Sequence, residues 1–189
     1  MRYSTGDPSL LSGVLQDATG RTAQAYALDT VFAPLGLPAL PWASDAAGRT
    51  MTYAGLQATA REYAKLGLLY LRQGEWDGRQ IVPAEWVAHT TQPVDRCNDV
   101  YRYLWHINAP MRLGVADPAC TEIIGCPPLA FANLPADAYF AEGVLGQFIF
   151  IIPSQDLVVV RLAQDDSGSE NWDEWAREFL ARLLAAAGG

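Results

Sequence analysis

Positive charge is scarce in this sequence. Its 189 residues carry 13 lysines and arginines, with Lys65 the sole lysine, against 21 aspartates and glutamates, a net charge of −8. A surface so poor in cations is ill suited to neutralising a phosphate backbone, which sets nucleic acid aside as a partner. Long apolar runs are also missing. Phe148 to Ile152 and Leu157 to Val160 fall far short of the ~18 residues that a membrane-spanning helix needs, and they read as buried strands. The stretch from Met1 to Pro8 has neither an apolar core nor a small-residue cleavage site, so it does not read as a signal peptide. Cysteine is limited to Cys97, Cys120 and Cys126, with no Cys-x-x-Cys or Cys/His spacing, so no metal is expected. Cys120 and Cys126 bracket a short loop, and they either close as a disulfide in an oxidising compartment or stand as two buried thiols. What is plentiful is apolar: 50% hydrophobic and 11% aromatic against 18% charged, the make-up of a folded globular chain and not of a disordered one. A chain of this length buries roughly 70% of its unfolded surface around one core.

Organisation along the chain follows from periodicity and punctuation. Asp7-Pro8 opens a helix whose Leu10, Leu11, Val14 and Leu15 recur at helical spacing up to Gly20. Thr22 caps a second helix, which turns Tyr26, Ala27, Val31 and Phe32 inward and stops at Pro34-Leu35-Gly36. Residues 37–51 read as loop. Thr59-Ala60-Arg61-Glu62 is a capping box, and Tyr63, Leu66, Gly67, Tyr70 and Leu71 form one face of the helix that follows, up to Gly74. Trp76-Asp77-Gly78 is a tight turn and Pro83 opens a short helix. The period then changes. Strands are predicted over Tyr101 to Ile107, Asp137 to Glu142, Leu145 to Ile152 and Leu157 to Leu162, with Pro153 to Asp156 as a hairpin turn between the last two. A final helix from about Asn171 to Ala187 directs Trp172, Trp175, Phe179, Leu180 and Leu183 at that sheet. The result is an α+β architecture in one partial domain, mainly helical over 1–95 and antiparallel sheet plus helix over 96–189. With one helix assigned to the sheet, its other face is expected to lack cover.

Most familiar catalytic spacings fail: there is no G-x-S-x-G, H-E-x-x-H, P-loop or dinucleotide fingerprint. His89 and His106, with no acid or thiol at ligand spacing, read as structural or surface histidines. Asp165 to Glu170 reads as a solvated loop, and Lys65 as an exposed solubilising residue.

Several segments taken together carry a resemblance. They are Tyr3-Ser4-Thr5-Gly6-Asp7; Phe32-Ala33-Pro34-Leu35-Gly36; Trp42 with Asp45 and Gly48; Ala58 to Glu62 through Leu69; Gly74 to Pro83; and Gly143-Val144-Leu145-Gly146-Gln147 followed by Ile152-Pro153-Ser154 and Leu157 to Arg161. In this order and spacing the chain resembles the serine β-lactamase and penicillin-binding-protein superfamily, in particular its class C-like branch of esterases and 6-aminohexanoate-dimer hydrolases. The resemblance implies a β-lactamase/transpeptidase-like fold. It also implies hydrolysis of a small-molecule ester or amide through an acyl-enzyme, with no cofactor.

Residue by residue, the resemblance puts Tyr3 at the tyrosine that handles protons. Val144-Leu145-Gly146 takes the place of the strand motif Lys-Thr-Gly or His-x-Gly, with Gly146 letting substrate lie close. The backbone N–H of Gln147 becomes an oxyanion donor, and Trp42 and Asp45 belong to a loop that walls the pocket. Val144 departs from the motif, since it cannot pair with a substrate carboxylate. The first motif, Ser-x-x-Lys, is absent: Glu62, not serine, stands three residues before Lys65. The chain is therefore expected to be the C-terminal portion of such a hydrolase, lacking nucleophile helix and N-terminal strands and inactive alone, with a complementing N-terminal fragment as a partner. The alternative is a non-catalytic interaction module that uses its sheet edge. An export-related location is implied for the parent, and poor solubility is expected of the isolated chain.

Overall fold

The computed structural model describes residues 6–92, 101–108, 133–163 and 172–187. The first helix, α1 (Gly6–Thr19), ends where Gly20 takes a left-handed φ of 69°. Thr22 then caps α2 (Ala23–Ala27), its hydroxyl accepting the N–H of Ala25. The chain continues through a wider π turn, Leu28–Phe32, that closes on the bond from Ala33 N–H to the Leu28 carbonyl. Phe32, Leu35, Leu37 and Leu40 are buried together with Leu69 of the next helix.

That helix, α3 (Ala60–Leu71), forms the expected capping box, Thr59 accepting from the Glu62 N–H while the Glu62 carboxylate accepts from the Thr59 N–H. These bonds hold the Glu62 carboxyl below its ordinary pKa. A two-stranded hairpin follows, β1 (Glu75–Trp76) and β2 (Arg79–Gln80), turning on Asp77 and Gly78 with positive φ at both, the conformation such two-residue hairpins require. Pro83 then leads into α4 (Ala84–Thr91).

Among the described residues the main sheet has five antiparallel strands in sequence order: β3 (Tyr101–Arg102), β4 (Trp105–Ile107), β5 (Tyr139–Gly143), β6 (Gln147–Ile152) and β7 (Leu157–Arg161). One expected strand is divided and another, Leu145 to Ile152, begins only at Gln147. The run from Tyr101 to Ile107 is a tight hairpin, because Tyr103 and Leu104 both adopt left-handed φ. The segment Val144-Leu145-Gly146 is a turn between β5 and β6, not part of a strand.

The sheet is covered on both faces, so the expected bare face is not found. On one side α5 (Trp172–Ala187) buries Leu180, with Leu184, against Phe140, Phe148, Phe150 and Ile152. Leu184 takes the place expected for Leu183, and Phe179 is 40% exposed; the side chains of Trp172 and Trp175 lie outside what is described. On the other side α3 lays Tyr70 and Leu71 on Tyr139, Ile151, Ile149 and Val158. Gly67 makes that docking close: a β-carbon there would sit 2.6 Å from Val158 Cγ1 and 3.1 Å from Ile149 Cγ2. Leu66 and Leu69 face the opposite way, into the helical layer. The layers therefore run helices, α3, sheet, α5. Among the described residues no helix is long and apolar enough to cross a membrane.

Candidate functional site

A cleft of about 970 Å³ opens between the loop before α3 and the ends of β5, β6 and β7. Its outer wall is the segment 42–58, a loop that bonds to itself. Trp42 bridges to Leu56 and Ser44 to Thr50, and the Trp42 indole N–H donates to the carbonyls of Met51 (2.9 Å) and Ala54 (3.1 Å). Gly55, at φ 79°, lies so near Ala43 that a β-carbon would come within 2.5 Å of the Ala43 methyl. The Trp42 ring also meets Phe32 at 6.4 Å, so this side chain both packs on the helical core and faces the cleft. Asp45 has another task than expected: its carboxylate accepts the N–H groups of Ala47 and Arg49, both at 2.9 Å, which shapes the loop tip and leaves Asp45 outside the cleft lining.

The inner wall comes from Ala141, Glu142, Gly143, Val144, Gln147 and Ile149. Val144 is 85% exposed at the rim. Gly146 N–H closes the turn on the Gly143 carbonyl at 3.2 Å. From β7, the Arg161 guanidinium donates to the carbonyls of Leu145 (3.2 Å) and Gly146. The Gln147 side-chain amide pairs in both directions with the backbone of Ala163, donating to its carbonyl at 2.5 Å and accepting its N–H at 2.9 Å. Tyr63, on the first turns of α3, donates its phenol proton to the Leu56 carbonyl at 2.8 Å, and burial raises its pKa above the ordinary value. It is a proton-bearing group in the wall.

Among the described lining residues Glu142 carries charge, and no lysine, arginine or histidine does. His106 stands behind Glu142, Nε2 to Oε2 3.7 Å, and stacks on Phe140 with ring centroids 4.9 Å apart. Burial lowers its pKa from 6.5 to about 4, so at neutral pH the ring is uncharged and this approach is not an ion pair. His89 lies elsewhere, bonded to the Tyr103 hydroxyl at 3.0 Å. Lys65 is not a free surface group: its Nζ donates to the carbonyls of Leu35 (3.0 Å) and Gly36 (3.2 Å) and ties α3 to the preceding loop. Among the described residues no group of three or more His, Cys, Asp or Glu is placed to hold a metal.

Of the residues singled out from sequence, Trp42, Val144 and Gln147 come from segments about 100 residues apart and line this one cleft. Gly146 sits beside it in the turn, at φ 69°. Tyr3, Cys97, Cys120, Cys126 and the tract Asp165 to Glu170 lie outside the described residues. Sequence reasoning missed Tyr53, Tyr63, Gly55 and Glu142 in the lining, and Arg161 behind it.

Comparison with known proteins agrees with this layout. The family described as Beta-lactamase matches residues 1–183. A Bacillus anthracis protein provisionally described as a 6-aminohexanoate-dimer hydrolase superposes with a TM-score of 0.69 at 19% identity, covering 98% of this chain and 43% of that one. A Bacteroides dorei DSM 17855 protein provisionally described as a beta-lactamase superposes with a TM-score of 0.61 at 15% identity, covering 94% and 55%. The chain thus spans about half the length of these two structures. A search of curated proteins finds no match.

Proposed function

The chain belongs to the beta-lactamase family, and we propose that its cleft is the acyl-substrate wall of a serine hydrolase acting on a small ester or amide through an acyl-enzyme. The observation that carries this reading is the convergence of Trp42, Val144 and Gln147 on one cleft. In it Gln147 lines the wall, its N–H opposite Gly143 in the β5–β6 ladder and not turned to an oxyanion as expected, Gly146 leaves room for the substrate beside the turn, and Tyr3 handles protons. A phenol of ordinary pKa about 10 needs a nearby cation for that role. With Val144 where a carboxylate-pairing residue would stand, and no cation among the described lining residues, the reading favours neutral acyl groups over carboxylate-bearing lactams. The Ser-x-x-Lys motif that would supply nucleophile and lysine is not in this sequence, because no serine has a lysine three positions on. The chain by itself binds and does not turn over.

Two measurements test this. Titration with N-hexylacetamide, followed by NMR, is expected to shift the Trp42 indole and the amides of Val144 and Gln147; no shift at these positions refutes the cleft. With p-nitrophenyl acetate no burst is expected, and a stoichiometric acyl adduct seen by mass spectrometry refutes the inactivity. A second reading, a scaffold that binds a partner strand or a complementing N-terminal fragment, is favoured by one observation: among the described residues β7 pairs with β6 and with no strand on its other side. Antiparallel or parallel addition there would extend the sheet by one strand. Gain of p-nitrophenyl acetate hydrolysis on mixing with a polypeptide bearing Ser-x-x-Lys supports that reading.

A further inference from the structure

The turn that edges the cleft is held from outside it. Leu145 sits at φ 67°, a conformation that a branched L side chain rarely adopts, and Gly146 follows at φ 69°. Within the turn the bond from Gly146 N–H to Gly143 O is a long one, at 3.2 Å. The stronger restraints arrive from the C-terminal end of β7. The Arg161 guanidinium reaches the carbonyls of both left-handed residues, and the Gln147 amide is fastened on the backbone of Ala163. Charged donors on carbonyls make the stronger class of hydrogen bond, and a guanidinium presents its N–H groups in a rigid fork.

One peptide plane links this clamp to the β5–β6 hairpin. The carbonyl of Gly146 and the N–H of Gln147 belong to the same peptide, which is trans, so they point in opposite directions. Whatever holds the carbonyl on the β7 side therefore also holds the N–H toward β5, where Gln147 pairs with Gly143. We propose that Arg161 is a positioning residue that locks the Gly146–Gln147 peptide and keeps Leu145 left-handed, so that the rim of the cleft at Val144 keeps one fixed geometry. This rests on the reading of the cleft as an acyl site. It does not make Arg161 catalytic, since Arg161 acts on the turn carbonyls and not on substrate.

The clamp and the strain oppose each other, which makes the idea separable from a general effect on folding. Arg161→Met keeps the stem and removes the donors; Arg161→Lys keeps a single cationic donor; Leu145→Gly removes the strain that the clamp restrains. Two readouts are taken on the full chain: amide hydrogen exchange of Gly146 and Gln147 without ligand, and the dissociation constant of N-hexylacetamide. Arg161→Met is expected to speed exchange at both amides by roughly tenfold, equivalent to about 1.4 kcal/mol, and to weaken the probe by about the same factor. Arg161→Lys is expected to fall between, and Arg161→Met with Leu145→Gly to recover most of the probe affinity. A merely structural arginine would lower the denaturation midpoint with no such recovery. Unchanged exchange at Gly146 and Gln147 in both Arg161 variants overturns the proposal whatever the probe does. A wild-type chain that does not bind the probe, while Arg161→Met still speeds exchange, instead overturns the acyl-site reading and leaves the clamp intact as a property of the turn.

Discussion

Filling Gly67 is the sharpest test of how α3 meets the sheet. A β-carbon built there lies 2.6 Å from Val158 Cγ1, 3.1 Å from Ile149 Cγ2 and 3.5 Å from Val158 Cγ2. Carbon atoms rest at about 3.5–4.0 Å, so the first contact overlaps by roughly 1 Å. Val158 has little freedom to yield, because its χ1 is stiff and turning Cγ1 away brings another methyl toward the same space. Relief then needs α3 to lift from β6 and β7. Overpacking of this kind costs about 1–3 kcal/mol, against about 1 kcal/mol gained when alanine replaces glycine inside a helix. With two β-branched neighbours closing the site, the upper half of that range applies. Gly67→Ala is expected to lose about 1 kcal/mol and Gly67→Val about 3 kcal/mol, read as a lower denaturant midpoint at unchanged slope. Adding Val158→Ala to Gly67→Ala should cost less than the two changes summed, because the truncated side chain makes room for the new methyl. A Gly67→Ala chain as stable as the wild type, or more so, would refute the close-docking argument.

Three further outcomes follow from the same geometry. His106 is held neutral with its pKa lowered to about 4 from 6.5; the unfolded chain therefore binds more protons than the folded one between those values, and stability should rise with pH from 4 to 6.5, by up to about 3 kcal/mol, and be level above that window. His106→Gln, measured by urea unfolding at a series of pH values, should flatten this slope, and an unchanged slope would assign it to other groups. Thr59→Ala removes one half of the α3 capping box and should cost about 1 kcal/mol by thermal or denaturant unfolding, whereas Thr59→Ser should cost far less. Trp42→Phe keeps the ring against Phe32 but leaves the Met51 and Ala54 carbonyls without the indole donor; a loss of about 1 kcal/mol is expected, with faster amide exchange across 43–57, and no change in that exchange would count against the loop being pinned by Trp42.

Local chemistry was legible, and contacts between distant segments were not. Thr59 and Glu62, Asp77-Gly78 and Pro153 each announce a cap or turn within four residues, and the structure places them accordingly. Tyr103-Leu104 and Leu145 carry no such announcement, because a left-handed tyrosine or leucine is imposed by the pairing of flanking strands and not by its own preference. Gly67 was placed from sequence on one face of its helix with Tyr70 and Leu71, but nothing local showed that its missing side chain is what lets α3 cover the second face of the sheet. In the cleft, Trp42, Val144 and Gln147 were reached through family resemblance alone. Tyr53, Tyr63 and Glu142 had no signal in the sequence, since a residue becomes lining only when the loop 42–58 folds over β5 and β6.

The order of strands in the sheet also carries a kinetic consequence. β3 through β7 pair as consecutive neighbours, and β5, β6 and β7 join through short turns, so that part of the meander can zip from contacts close in sequence. The docking of α3 is different: Gly67 meets Ile149 and Val158, about 80–90 residues downstream, so this contact must first close a long loop. We predict that the β5–β7 hairpins gain protection in pulsed hydrogen exchange before α3 does, and α3 protected first would sink that order. The cleft lies between the loop that leads into α3 and the β5–β6 turn, so its two walls would meet only in the slowest closure of the chain.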